Sequence, residues 1–123
     1  MQNVSHRIIF VSPYTTENRI NWYLEDFKQL HQKGVEIIVY TKSLEEETNE
    51  WHKRGVSCLI NNGIRVEFLD MIHTKFVGID DDIVYSGSLN PLSHRETKEL
   101  TNRFEGKGCV NFVLSKIGVF PTL

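Results

Sequence analysis

The chain is poor in the features that most often announce a function. It carries two cysteines, Cys58 and Cys109, in 123 residues. They form neither a C-x-x-C pair nor a zinc-finger spacing with histidine, so a disulfide framework and a zinc module are both excluded. They are read as two buried, reduced thiols. The five histidines (His6, His31, His52, His73 and His94) include no His-x-x-x-His pair, so neither a dedicated metal site nor a cofactor is expected. There is no excess of positive charge either: 14 Lys and Arg stand against 16 Asp and Glu, a net charge of −2. That balance excludes binding of DNA by bulk charge alone, although a local basic groove remains compatible with it. Three prolines and no low-complexity stretch mean no visible linker. No apolar run approaches the ~20 residues needed to cross a bilayer. The opening "MQNVSHRIIF" lacks the basic flank and long apolar stretch of a signal peptide. A cytoplasmic protein without a membrane partner is the expectation.

Hydrophobic residues make up 40% of the chain and aromatics 11%, enough to bury a core. One domain spanning 1–123 is therefore expected. "RIIFVS" (Arg7 to Ser12) is a nearly continuous apolar run, which suits a strand buried on both faces. Between Glu17 and Lys33, the residues Ile20, Tyr23, Leu24, Phe27 and Leu30 fall on one helical face, and Gly34 sits where a helix ends. "VEIIVY" (Val35 to Tyr40) then reads as a second strand, parallel to the first through a crossover. Ser43-x-x-Glu46 has the form of a capping box and predicts a second helix across the acidic "LEEETNEWHKR". "LINNGIRVEF" parallels "LHQKGVEIIV", so Gly63 reads as a second helix end and Ile64 to Phe68 as a third strand. From Ile72 to Ile79 the chain alternates, Asp80 to Asp82 is turn chemistry, and "IVYSG" returns as the partner of a hairpin. "KELTNRFEG" reads as a further strand with Glu99, Thr101 and Arg103 on one side, and "KGCVNFVLSKIG" as a closing helix. The fold class is α/β, a mixed, mostly central β-sheet flanked by helices.

The chemistry concentrates in "MIHTKFVGIDDDIVYSGSLN". If the hairpin strand begins at Ile72, His73 and Lys75 share a face at a spacing of about 7 Å. Lys75 offers a point positive charge, Ser88 and Asn90 offer donors on short side chains, and Gly87 permits close backbone approach. Together these suit a tetrahedral oxyanion, most naturally a phosphodiester. A histidine beside it can attack phosphorus or move a proton near neutral pH.

The run His73-Thr-Lys75-Phe-Val-Gly-Ile-Asp80, six further residues, then Gly87-Ser88-Leu-Asn90, resembles the H-x-K-x(4)-D-x(6)-G-S-x-N motif of the phospholipase D superfamily. By chance such a pattern is expected in a chain of this length roughly once in a million. The order of elements is similar to one catalytic half of that family. "SGSLNPLSHRETKEL" further resembles the phospholipase D-type domains attached to bacterial DNA helicases and restriction systems.

The resemblance implies a metal-independent phosphodiesterase, with His73 as nucleophile forming a phosphohistidine. Lys75, Ser88 and Asn90 would hold the phosphoryl oxygens, and Glu99 would orient a histidine. Asp80 sits at the turn, which points to a structural role. Two histidines are needed, one to attack and one to protonate the leaving oxygen, yet the chain has one H-x-K. His94 is followed two residues on by Glu96, with no lysine. A homodimer sharing one site is therefore implied, its paired histidines titrating together.

Nucleic acid is the expected substrate, DNA ahead of RNA, with Arg95, Lys98 and Arg103 as candidates to line a strand groove and Tyr14 as a candidate for its rim. A binding or assembly module of a larger helicase or restriction protein is one alternative. A phospholipid phosphodiesterase is another. Trp22 and Trp51 could stack on bases, but both lie in predicted helices and are read as packing. His6, His31 and His52 are assigned no function.

Overall fold

A computed structural model describes residues 4–44, 49–70, 72–87, 91–92 and 101–120. Nine elements follow one another: β1 (Arg7–Val11), α1 (Glu17–Gln32), β2 (Glu36–Lys42), α2 (Glu50–Asn61), β3 (Arg65–Leu69), β4 (Phe76–Ile79), β5 (Ile83–Gly87), β6 (Thr101–Glu105) and α3 (Cys109–Lys116). The strands form one mixed sheet in the order β3-β2-β1-β4-β5-β6. β1 and β2 are parallel, as are β2 and β3, while β4, β5 and β6 run antiparallel to their neighbours. The expected order of elements and the α/β class are the observed ones.

Burial on both faces explains the continuous apolar strands. Ile8 and Phe10 of β1, with Ile37 and Val39 of β2, pack beneath α1 and α2 against Ile20, Phe27, Leu30 and Leu59. Ile9, Val11 and Ile38 face the other way and join Phe76, Val84, Val110 and Leu114 under α3. Each such side chain, fully buried, contributes about 1.5–3 kcal/mol. α1 starts where the Thr16 hydroxyl accepts from the Arg19 amide and ends before Gly34, whose φ of +80° only glycine adopts at no steric cost.

Two close approaches hold the layers. A Cβ on Gly78 would lie 2.8 Å from Cγ1 of the fully buried Val110, so α3 can sit on β4 only because position 78 has no side chain. A Cβ on Gly55 of α2 would lie 2.8 Å from Thr15 Cβ and 3.0 Å from the Thr15 carbonyl carbon. That contact seats the first half of α2 against the loop after β1.

Several expectations need correction. α2 does not begin at a Ser43–Glu46 capping box. It begins at Glu50, where the Asn49 side chain accepts from the Trp51 amide. An Asn immediately before the apolar-periodic stretch was the better start signal. Trp22 and Trp51 are not core residues: they are 65% and 60% exposed, and the Trp22 ring lies on the surface against Arg19 and Tyr23. The buried stripes are Ile20, Phe27 and Leu30 on α1 and His52, Gly55, Val56 and Leu59 on α2. Cys58 and Cys109 are half-buried thiols rather than core residues. Burial and the nearby Glu17 carboxylate push the Cys58 thiol up, away from the thiolate form that reacts.

Candidate active site

Strand directions bring the functional stretches to one edge of the sheet. β1, β2 and β3 end there, β4 starts there, β5 ends there and β6 starts there. Val11 pairs with Phe76, so the residues just before Phe76 meet the loop that follows β1. Gly87 pairs with Thr101 at the same edge. In open α/β sheets the carboxyl ends of parallel strands are where ligands bind.

His73 and Lys75 are not on a hairpin strand. β4 starts only at Phe76, and residues 72–75 lead into it as an irregular segment. On the β1 side the ladder ends at Val11–Phe76, because β1 itself ends at Val11 and is followed by Ser12-Pro13. The segment is nonetheless fastened at both ends, by buried Ile72 (5% exposed) and Phe76 (1%). Between them His73 is exposed and Lys75 half-buried. The Lys75 ammonium donates to the His73 carbonyl at 3.3 Å, which folds the lysine back alongside the histidine.

Beneath this edge lies a buried polar network that secures the loop after β1. Ser12, Thr15, Thr41 and His52 are all essentially inaccessible. The Thr15 amide donates to His52 Nδ1 at 3.1 Å, so that nitrogen is unprotonated. His52 Nε2 faces the Lys42 carbonyl at 3.0 Å and must carry the proton, because a carbonyl only accepts. The Thr41 hydroxyl donates to the Ser12 carbonyl at 2.7 Å. Ser12 Oγ donates to the Tyr14 carbonyl at 2.6 Å and accepts from the Leu92 amide at 3.1 Å, while the Leu92 carbonyl accepts from the Thr16 amide at 2.8 Å. Leu92 is fully buried. The chain on either side of Ser88 and Asn90 is thus anchored at this edge, by Gly87 in the sheet and by Leu92 in the loop network. From the sequence His52 is assigned no function, Ser12 only ends the first strand, and Thr15 and Thr41 carry no expectation. The available signal was the run of hydroxyls in "SPYTT", directly after a buried strand.

Asp80 is at the other end of β4. It is five positions on from Lys75, about 17 Å at strand rise, so one phosphate cannot touch both. Its carboxylate accepts from the backbone amides of Ser5 (3.1 Å), His6 (2.8 Å) and Arg7 (3.2 Å). Its own backbone closes the pairing, with its amide donating to the Arg7 carbonyl and its carbonyl accepting from Arg7 Nε at 3.0 Å. Partial burial pushes the carboxyl up, but the amides of His6, Arg7 and Ser5 outweigh that and hold it below the usual carboxylate range. Its φ of +52° is a left-handed position that aspartate tolerates better than most residues. Next to it Asp81 pairs with Arg7 at 2.8 Å, and Asp82 accepts from the Gly108 amide at 2.9 Å, at the start of α3.

Residues 1–104 match a family described as cardiolipin synthase, PLD-like domain. The chain belongs to the phospholipase D-like family. Among solved structures its fold is similar to that of NucT from Helicobacter pylori, with a TM-score of 0.69 at 16% identity over 93% of this chain and 77% of that one. It is also similar to TrmBL2, an archaeal chromatin protein whose structure is described as showing a novel mode of DNA binding. There the TM-score is 0.52 at 13% identity, over 93% of this chain and 42% of that one. Identities this low establish likeness of fold. No curated protein sequence matches significantly.

On this phospholipase D-like fold the remaining candidates divide. Tyr14 is at the motif edge, 36% exposed, with the Lys42 ammonium 3.2 Å from its hydroxyl and 5.1 Å from its ring centre. Arg103 lies on β6 opposite Tyr85, donating to the Tyr85 hydroxyl and to Glu105, each at 3.2 Å. Ser88, Asn90, Arg95, Lys98 and Glu99 lie outside the described residues. Among the described residues, no group of three or more His, Cys, Asp or Glu side chains could hold a metal ion, and no helix is long and apolar enough to cross a membrane.

Proposed function

We propose that the chain is a metal-independent phosphodiesterase of the phospholipase D type that cleaves nucleic acid, DNA ahead of RNA, in a site shared by two copies. The observation that carries this reading is the fastened segment Ile72–Phe76. It presents an exposed His73 beside Lys75, at the ligand-binding edge of a sheet belonging to this family. DNA binding, described for the structurally similar TrmBL2, favours nucleic acid over lipid.

In this reading a ring nitrogen of His73 attacks phosphorus, an N–P bond forms and the P–O bond to the leaving strand breaks. His73 of the second copy, protonated, gives its proton to the departing oxygen. Water then attacks phosphorus and returns a proton to that second histidine, breaking the N–P bond and freeing His73. Lys75, Ser88 and Asn90 hold the phosphoryl oxygens through both displacements, the service a bound cation would otherwise perform. Glu99 orients a histidine, Arg95, Lys98 and Arg103 follow the strand, and Asp80 stabilises the turn without touching substrate.

The test is a substrate panel in EDTA: single- and double-stranded DNA, RNA, and a phospholipid dispersion that includes cardiolipin, each with wild type and His73→Ala. Cleavage of nucleic acid by wild type, reduced by a factor of about 10²–10⁴ or more in the variant, is the expected result. Turnover of phospholipid alone would replace nucleic acid by lipid. Binding without cleavage would make the chain an assembly module. Activity lost in EDTA and restored by magnesium would contradict the mechanism.

A further inference from the structure

β6 is the outermost described strand on its side of the sheet. Every residue from Asn102 to Lys107 is exposed, Phe104 at 56%. The Gly106 amide donates to the Asp82 carbonyl at 2.9 Å. Hydrogen-bonded pairs alternate along an antiparallel ladder, so residues 102, 104 and 106 bond to β5. The amides and carbonyls of Arg103 and Glu105 therefore point outward, with no strand beyond them among the described residues. An outward row of this kind is a template for another strand.

The side chains decide which strand fits. Arg103 lies opposite Tyr85, and Glu105 stands two residues on, on the same face. Arg103 engages the Tyr85 hydroxyl through Nε and Glu105 through Nη1. Its guanidinium therefore keeps a second terminal nitrogen for a further carboxylate. Phe104 lies opposite Val84, which packs under α3, so its ring stands on the α3 side.

A second β6 can be laid antiparallel against the first with a two-fold axis through Phe104. Arg103 of each copy then faces Glu105 of the other, an isologous match. The two Phe104 rings meet as a non-hydrogen-bonded pair, with Cα atoms about 4.5 Å apart. Both neighbouring registers are repulsive: one opposes Arg103 to Arg103, the other Glu105 to Glu105. β3, the outer strand on the other side, repeats the Arg-x-Glu pattern at Arg65 and Glu67. Arg65, however, already bridges Glu36 and Glu67, each at 3.0 Å, and Val66 between them is half-buried.

We propose that β6 is a self-association edge that takes the β6 of a second copy in this register, joining two six-stranded sheets into one. This contact is separate from the shared site. Across it the two β4 strands stand five strand spacings apart, about 24 Å, with their motif ends pointing in opposite directions. One phosphate cannot reach both histidines. The contact is made largely of exposed charges, so it is weak and salt-sensitive. Site-sharing dimers therefore join through it at high protein concentration and low salt.

Two experiments on the full chain test the edge. Sedimentation at rising protein concentration in low salt measures the association. Arg103→Glu and Glu105→Arg are each expected to weaken the concentration-dependent step about tenfold or more. The double variant restores opposite charges across the axis and should recover it, which pairing of β6 with any other surface would not do. The second experiment reads the register. In a Cys58→Ser, Cys109→Ser background, Phe104→Cys should form an intermolecular disulfide faster than Arg103→Cys or Glu105→Cys. Only at position 104 do equivalent Cα atoms fall within the span of a disulfide. Unchanged association in the single charge variants, no recovery in the double variant, or fastest crosslinking at 103 or 105 refutes the edge and leaves the shared site standing. If Glu105→Arg instead turns a wild-type dimer into monomers, the edge is the dimer contact and the shared site falls. A wild type that stays monomeric overturns both. Activity is not the readout, because Arg103 is also placed along the nucleic-acid strand.

Discussion

Two residues show how polar side chains hold the two ends of this sheet. Asp80 gathers three backbone amides from the entry to β1 and holds the β4–β5 turn in a left-handed conformation. Replacing it with alanine removes a charged acceptor, costing about 1.5–3 kcal/mol, and leaves at positive φ a residue that tolerates that region less well than aspartate. Asp80→Asn tolerates the backbone and keeps one acceptor, so chemical denaturation should rank wild type above Asn and Asn above Ala. The pH dependence has a definite sign. A carboxyl held low in the folded state stabilises the fold fully above its unfolded value, about pH 4, and loses that contribution as pH falls through the lower folded value. The advantage of wild type over Asp80→Asn should therefore shrink on acidification below about pH 4 and stay constant above pH 5. His52 acts through neutral hydrogen bonds instead. His52→Leu keeps the volume but leaves the Thr15 amide and the Lys42 carbonyl without their partner, at about 1–3 kcal/mol each. A loss under 0.5 kcal/mol in urea unfolding would show that the network is not what holds the loop.

At the level of elements, the contact between β4 and α3 depends on an absent side chain. Gly78→Ala forces a methyl against Val110, which is fully buried and cannot swing away, and should cost about 1–3 kcal/mol. In a Val110→Ala background the same change should cost clearly less, and additive losses would refute the clash. Elements were legible where burial is two-sided or periodic. "RIIFVS" and "VEIIVY" can only be buried strands, and the stripe Ile20–Phe27–Leu30 can only be a helix face. Legibility failed where tertiary pairing decides. The alternation through Ile72 and Phe76 is real, and both are buried. Strand geometry nevertheless begins only at Phe76, where the pairing with β1 ends at Val11, and no local pattern in residues 72–79 reports that. The start of α2 was missed for a different reason: two capping signals compete in "SLEEETNE", and Asn49 takes the helix. The exposed Trp22 and Trp51 show that composition does not say which aromatic residues a helix buries.

For the molecule as a whole, chain order already contained the candidate site, because the motif spacing carries it across 18 residues. The support for that site was not legible. Ser12 and Thr15 come from the loop after β1, Thr41 from β2 and His52 from α2, and they meet only once the parallel sheet is assembled. The single H-x-K makes a claim at the same scale, that two copies complete one site. Sedimentation of the wild type should then give a dimer. Mixing wild type with excess His73→Ala chains should lower activity per wild-type chain, since each mixed dimer retains one histidine where two are needed. Unchanged activity on mixing, with exchange of chains demonstrated, would contradict a shared site.

The central claim is that His73 forms a bond to phosphorus. The most direct measurement is rapid acid-free quenching of wild type turning over a short oligonucleotide in EDTA, followed by mass analysis of the intact protein and its peptides. A phosphoramidate-linked nucleotide on the peptide containing His73, labile to acid and absent from His73→Ala, is the predicted result. Full turnover in the His73→Ala variant, or wild-type turnover with the covalent adduct on another residue, would contradict the account.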